Sequence, residues 1–448
     1  MTSIMWFRRD LRVRDNPALL AAGNEVLPVF VFDPVLWDAS SDVRKAYLVE
    51  SLRSLNESLG GHLTIRSGDP SAVIPALVKE VNADSVHIAA DFGPYGQQRD
   101  LKVEAALAAL SVPLIRTGSP YAIAPGRVVK SDDTPYRVFT PFYKAWTTHG
   151  WRAPATGPLS TIELPTFISA PSEEWPVVTS PVPLPAAGED AAWKRWKQFK
   201  KTALANYDEA RNRPDLDGTS ALSHHLKYGE IHPRSLLAEL KPEHVVFIKE
   251  ICWREFYADI MFNNPTSALR SLDARYDLIM PWASGTEADE LFTAWCQGQT
   301  GYPIVDAGMR QLTTTGWMHN RVRMIVASFL VKDLHIPWQR GAKFFMQNLY
   351  DGDIASNSHG WQWTAGCGTD ASPFYRVFNP ITQGIKFDLD GNYVRQYVPE
   401  LAHLVGASVH EPWDTLGGYD QGYPKRLVDH KAEREVALAD FASIKGRT

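Results

Sequence analysis

Cysteine is scarce: three in 448 residues. Cys252, Cys296 and Cys367 form no CxxC pair, so neither a disulfide framework nor a zinc site is expected. No apolar run is long enough to span a bilayer, and charge arrives too early in Met1 to Arg14 for a secretory leader. These absences point to the reducing cytoplasm. An excess of positive charge is missing too. The net charge of -5 argues against a protein that coats nucleic acid indiscriminately, although a local basic patch is compatible with it. No GxGxxG follows the first β-rich run, so a dinucleotide fingerprint is absent. Internal repeats and low-complexity tracts are absent as well.

What is abundant is tryptophan, 15 residues in all. Each buried indole N–H wants a partner, so so many indoles mean either a large helical core or a use in stacking or electron transfer. The length implies two or more domains. In the first third, β-rich runs (Ser3 to Phe7, Val26 to Phe32, Leu63 to Ser67, Val86 to Ala90, Pro113 to Arg116) alternate with helical stretches (Arg44 to Leu59, Pro70 to Val81, Gln97 to Leu110). That rhythm predicts βαβ units and a Rossmann-like parallel sheet. The loop from Asp91 to Gly96 follows the fourth run, at the carboxyl end where such sheets bind ligands. Prolines 154, 158, 165, 171, 176, 181, 183 and 185 then break regular structure. We therefore expect an α/β domain over 1–130, a proline-rich connector over 131–190 and a large all-α domain over 191–448. In the last, Val245 to Phe262, Ala288 to Gln297, Val305 to Thr315, His319 to Lys332 and Trp338 to Asn348 are the clearest helices.

Several short segments carry chemistry. Gly218-Thr219-Ser220-Ala221-Leu222-Ser223 is a turn of small and hydroxyl residues before a helix, suited to phosphate or to ordinary capping. On one helix, Glu250, Trp253 and Arg254 share a face, which suits a planar ligand beside a phosphate, or simply an ion pair and a core Trp. Asn320 and Arg323 share another face, with Arg321 pointing elsewhere; these could reach phosphates or be solvated. Asp351-Gly352-Asp353 through Asn357 lacks the later Gly and closing Glu of a calcium loop and fits ribose or flavin N–H groups better. Trp361 and Trp363, two apart on a helix, must serve different neighbours.

Taken in order, Trp6 to Arg12, Thr219 to Ser223, Glu250 to Tyr257, Thr300 to Ala307, Gly316 to Met324, Asp351 to Trp363 and Phe378-Asn379-Pro380 closely resemble class I cyclobutane pyrimidine dimer photolyases of the photolyase/cryptochrome family. The resemblance covers nearly the whole chain. It implies that Tyr207, Thr219, Ser220, Ala221, Leu222, Ser223 and Phe247 cradle FAD and its phosphates. It implies that Asp351, Gly352 and Asp353 meet ribose and isoalloxazine, with Arg323 paired to Asp351 and Asn357 facing flavin N5. Glu250, Trp253, Met324 and Trp363 would receive a dimer flipped out of DNA. Arg211, Arg254, Asn320 and Arg321 would contact the DNA. Trp361, Trp338 and Trp282 would pass electrons to the flavin. Excited reduced flavin would then split the dimer by electron transfer. No metal is implied, and a monomer acting on dimer-containing DNA is expected.

One departure is Ala221, where the family usually has a basic residue. Two neighbours of the same fold compete: a cryptochrome receptor, disfavoured by Asn357 where receptors usually carry Asp or Cys, and a (6-4) photolyase, disfavoured by Met324 where the animal-type enzymes place His. For a second chromophore, Pro94 to Asp100 resembles the branch that binds 8-hydroxy-5-deazaflavin, although Gly93 stands where that branch often has Glu; methenyltetrahydrofolate is the alternative.

Overall fold

The computed structural model describes residues 1–155, 164–369 and 375–445. Pro158 of the expected connector lies outside them. Five parallel strands, β1 (Thr2–Phe7), β2 (Glu25–Phe32), β3 (Thr64–Ser67), β4 (Ser85–Ile88) and β5 (Leu114–Arg116), form a sheet in the order β3-β2-β1-β4-β5. β1 and β2 are near-continuous apolar runs because both faces of such a sheet are covered. A short β6 (Thr166–Phe167) pairs with Glu25 and Val26 of β2, while β3 pairs with Val29 to Phe32. Pro28 falls in the gap, so its missing N–H interrupts neither of those ladders. The core of this sheet gathers Ile4, Trp6, Leu27, Val29, Ile74, Val86, Ile88 and Val103.

The chain divides into two compact units. The first comprises Met1–Thr202 and Ser220–Pro265, the second Ala203–Thr219 and Thr266–Thr448. The division by compactness therefore differs from the one drawn on composition: the helical stretch after Ser220 groups with the sheet. Its Val245–Asn263 helix explains why. The buried Glu255 carboxylate accepts the N–H groups of Ala122 and Ile123 and the indole of Trp146, and Asp259 accepts Gly126 N–H at 2.7 Å. Burial pushes both carboxyls above their usual range, Asp259 to about 6.

The 131–190 stretch is not all connector. Phe139–His149 is a helix, with Phe142 and Trp146 buried at i and i+4, and Pro141 is tolerated in its first turn. The second unit is helical: Thr286–Gln297, Pro303–Thr315, Asn320–Lys332, Trp338–Asn348, Ile354–Ala365 and His430–Lys445 are its longest elements. They enclose Trp295, Tyr302, Phe329, Trp338 and Trp361. Among the described residues no helix is long and apolar enough to cross a membrane.

Candidate functional site

In the first unit the small-residue turn ends at Leu222, the N-cap position of the short Ser223–Tyr228 helix. Ala221 sits at φ +48°, a left-handed conformation uncommon outside glycine and asparagine. The turn is held from outside: Arg195, on the Glu189–Thr202 helix, donates Nε to the Ser220 carbonyl at 2.8 Å. Arg195 escaped the sequence reading; the only hint was an arginine flanked by Trp193 and Trp196. Phe247 is buried against Trp196 and Phe199, with centroids at 5.6 and 5.1 Å.

The Val245–Asn263 helix sends its expected site residues different ways. Trp253 lies flat on Phe139, centroids 3.7 Å apart and planes 6° apart. Phe139 was not foreseen, since it falls in the expected connector. Arg254 turns inward, donating to the carbonyls of Pro120 and Leu226 at 3.0 Å each and lying over the Tyr121 ring. Its guanidinium is thus committed to the backbone, because the residue next to Trp253 points about 100° away around the helix. Glu250 is half-buried.

At the carboxyl ends of β1 and β4, where the strand order reverses, the same unit holds a charged cluster. Arg8 pairs with Asp100 at 2.6 Å, and Arg99 pairs with Asp100 and Asp91 at 2.9 and 3.2 Å. Both arginines stand beside the Trp6 ring, and Tyr95 donates to Asp33. Burial alone would raise the Asp91 carboxyl, yet Arg99, Arg9 and Arg8 hold it below the usual range. Gly96 makes room for Asp91 here, since a Cβ would lie 2.2 Å from its carboxylate in this rotamer.

In the second unit His319 caps the Asn320–Lys332 helix, its Nδ1 accepting Arg321 N–H at 3.1 Å. That assigns the proton to Nε2, which is buried without a hydrogen-bond partner among the described residues. Burial, then Arg321, Arg323 and Arg211, lower its pKa to about 4, so the ring is neutral near pH 7. Arg323 chelates the buried Asp351 at 2.8 Å and also donates to Met318 O. Arg321 donates to Asn212 Oδ1 at 2.7 Å, approaches the Met324 sulfur at 3.7 Å and lies over Phe387. Asn320 is exposed, and Arg211 lies over the Tyr207 ring at 5.6 Å.

Asp353 caps the Ile354–Ala365 helix by accepting Ser356 N–H. One turn on, Asn357 donates its amide nitrogen to Ala342 O at 3.0 Å. Only the –NH2 group can donate to a carbonyl, so Oδ1 is left as an oriented acceptor. Trp361 is buried and Trp363 half-exposed, as a two-residue spacing requires. Trp361 meets Phe345 and Trp295 edge-on at 4.9 and 6.1 Å, and its N–H has no hydrogen-bond partner among the described residues. Gly341 makes room for it: a Cβ there would lie 2.2 Å from the indole. Trp338 is buried and donates to Ser271 Oγ; Trp282 is half-buried and donates to Tyr276 O. Trp295, absent from the expected electron series, is the indole in ring contact with Trp361.

An oriented amide acceptor, an arginine-held carboxylate and buried indoles in one unit, with an α/β sheet in the other, suit the class that the comparisons define: a flavoprotein of the photolyase type. Residues 3–159 match the DNA photolyase family, and residues 247–443 match the FAD binding domain of DNA photolyase. A deoxyribodipyrimidine photo-lyase of Agrobacterium fabrum is 39% identical over 478 residues, covering 99% of this chain and 98% of that one. A solved bacterial class III photolyase from Agrobacterium tumefaciens is 37% identical with a TM-score of 0.88, covering 99% and 98%. A Synechocystis cryptochrome is 28% identical with a TM-score of 0.84, covering 97% and 98%. The chain belongs to the deoxyribodipyrimidine photolyase family, with the enzyme class of a photo-lyase and an FAD-binding helical domain. The likeness establishes the family and not a class within it, since the class I expectation meets a class III structure among the relatives.

Proposed function

We propose that the chain repairs cyclobutane pyrimidine dimers in DNA, using light absorbed by FAD. The observation that carries this reading is Trp253: Phe139 lies flat on one face, Phe256 and Tyr257 pack nearby, and the residue is only half-buried, which leaves ring surface for a guest base. A damaged base pair stacks poorly, so extruding it costs roughly a few kcal/mol. Trp253 receives the extruded rings by stacking, together with Trp363 and Met324. Glu250 hydrogen-bonds the pyrimidine edge and favours the charge that develops there.

The residues present fit FAD. Asn357 Oδ1 is fixed as an acceptor for the N5–H of a reduced flavin. Asp351, held by Arg323, and Asp353 accept from ribose and isoalloxazine N–H groups. Thr219, Ser220 and Ser223 meet the diphosphate, and Tyr207, Leu222 and Phe247 supply apolar walls. Bound FAD, reduced and excited, supplies the electron that opens the cyclobutane ring and takes it back afterwards. Trp361 is the inner electron donor, with Trp338 and Trp282 leading outward. Arg211, Asn320 and Arg321 contact DNA phosphates; Arg254, committed to two carbonyls, is left out of that set.

We assign class I on motif order, with class III as the rival. A second chromophore, 8-hydroxy-5-deazaflavin rather than methenyltetrahydrofolate, is assigned to the carboxyl ends of β1 and β4, a favoured ligand position in such sheets. Supplying the deazaflavin should raise repair under limiting light; binding of folate alone would overturn that assignment and leave repair intact. A cytoplasmic monomer completes the reading. A receptor role is the second reading, favoured by the cryptochrome likeness. The test is light-dependent loss of cyclobutane dimers from an oligonucleotide. Protein that binds FAD and DNA normally yet leaves dimers unchanged in blue light would transfer the case to the receptor.

A further inference from the structure

We infer that an open groove beside the Phe139–His149 helix takes the phosphate backbone of the DNA strand flanking the lesion. The inference rests on DNA being the substrate. The groove, about 560 Å3, is lined by Arg127, Tyr136, Lys144, Thr148 and His149 together with small apolar residues, and among the described residues no carboxylate lines it. Arg127, Lys144 and His149 are exposed, and no ion pair joins them to any described residue. The surrounding segment adds Lys130, Arg137 and Arg152 against Asp132 and Asp133, in a chain whose net charge is -5. Cations interleaved with Tyr136 and Tyr143 suit a nucleic-acid backbone, where arginine and lysine neutralise phosphates and rings lie beside sugars and bases.

The position of the groove supplies the second argument. Phe139, the first residue of the helix, is the ring stacked on Trp253. Tyr143, one turn further, lies 5.4 Å from the Lys249 ammonium. One helix therefore runs from the base-stacking Trp past the groove. At about 1.5 Å per residue, Lys144 lies roughly 8 Å and His149 roughly 15 Å along the axis from Phe139. Phosphates of one strand follow one another at about 3.4 Å along a duplex, so a strand running along this helix would place in the groove those roughly two to five nucleotides from the lesion, on one side.

The test is the double variant Arg127→Ala/Lys144→Ala, with Lys144→Glu as a single-site check. FAD retention and melting temperature establish that each is folded. On a long dimer-containing duplex, two lost phosphate contacts should reduce the slope of log K against log salt by about 1.8 and weaken binding about 10-fold or more near physiological salt. On an oligonucleotide trimmed to one nucleotide either side of the dimer, variant and wild type should bind alike. Hydroxyl-radical footprints should lose protection on one side of the lesion only. Repair at saturating DNA should be unchanged. An unaltered salt slope on the long duplex, or equal weakening on the trimmed substrate, would overturn the groove while leaving repair standing. Wild-type protein that ignores dimers altogether would overturn both.

Discussion

Trp253 in the first unit and Trp361 in the second are both helical indoles, yet they live in opposite surroundings. Trp253 has a parallel ring against one face and is only half-buried. Trp361 is 3% exposed, is met edge-on by Phe345 and Trp295, and has an N–H without a hydrogen-bond partner among the described residues. A flat, half-covered ring is a stacking platform. A buried ring walled by aromatic edges, on the turn after the oriented Asn357, cannot stack a guest and suits passing an electron inward. On the proposed reading, the same residue type serves binding in one unit and redox supply in the other.

The comparison breaks most visibly at Trp361. Trp361→Phe should abolish photoreduction of oxidised FAD, followed by absorbance, and spare repair by chemically reduced protein. Loss of both would make Trp361 structural. The same measurement on Trp295→Phe and Trp338→Phe tells which neighbour feeds it. Next in size, Trp253→Ala should lower the preference for dimer-containing over intact DNA by the roughly 1–3 kcal/mol of a stacked base, with photoreduction unchanged. Equal weakening on both DNAs would refute the platform.

Smaller effects sharpen the contrast. Gly341→Ala drives a methyl into Trp361 and should cost about 1–3 kcal/mol by overpacking while slowing photoreduction, measured by denaturant unfolding and flash absorbance. Smallest is a pH effect. His319 and His359 are buried with pKa values lowered to about 4. Between pH 6.5 and 4 the unfolded chain binds protons that the folded unit refuses, so their contribution is complete above the unfolded value and is lost as pH falls through that window. Melting temperature should decline there. His319→Asn keeps a capping acceptor and should flatten part of the decline.

β1 and β2 were legible because parallel strands buried on both faces read as apolar runs, while the partly exposed β3 and β5 were placed by their alternation with helical stretches. The helix at Phe139–His149 was hidden by the proline-dense sequence around it, and with it the ring that covers Trp253. Compactness was illegible too: nothing in local sequence says that Glu255 and Asp259 will hold backbone N–H groups of residues 122–126, more than a hundred positions away. Trp361 and Trp363 separated as their spacing required. Arg254 did not behave as its shared face suggested, because helical periodicity cannot reveal two free carbonyls waiting inside. His319 carried no signal beyond its place before Asn320; only its burial shows an Nε2 without a partner among the described residues.

The most direct measurement is dimer splitting by the chemically reduced wild-type protein. An oligonucleotide with one cyclobutane dimer, mixed with protein under near-ultraviolet or blue light, should regain its absorbance near 260 nm, with no recovery in the dark. Reduced Trp361→Phe protein should match the wild type. Reduced protein holding FAD and bound to the oligonucleotide, yet giving the same absorbance in light and dark, would contradict the account.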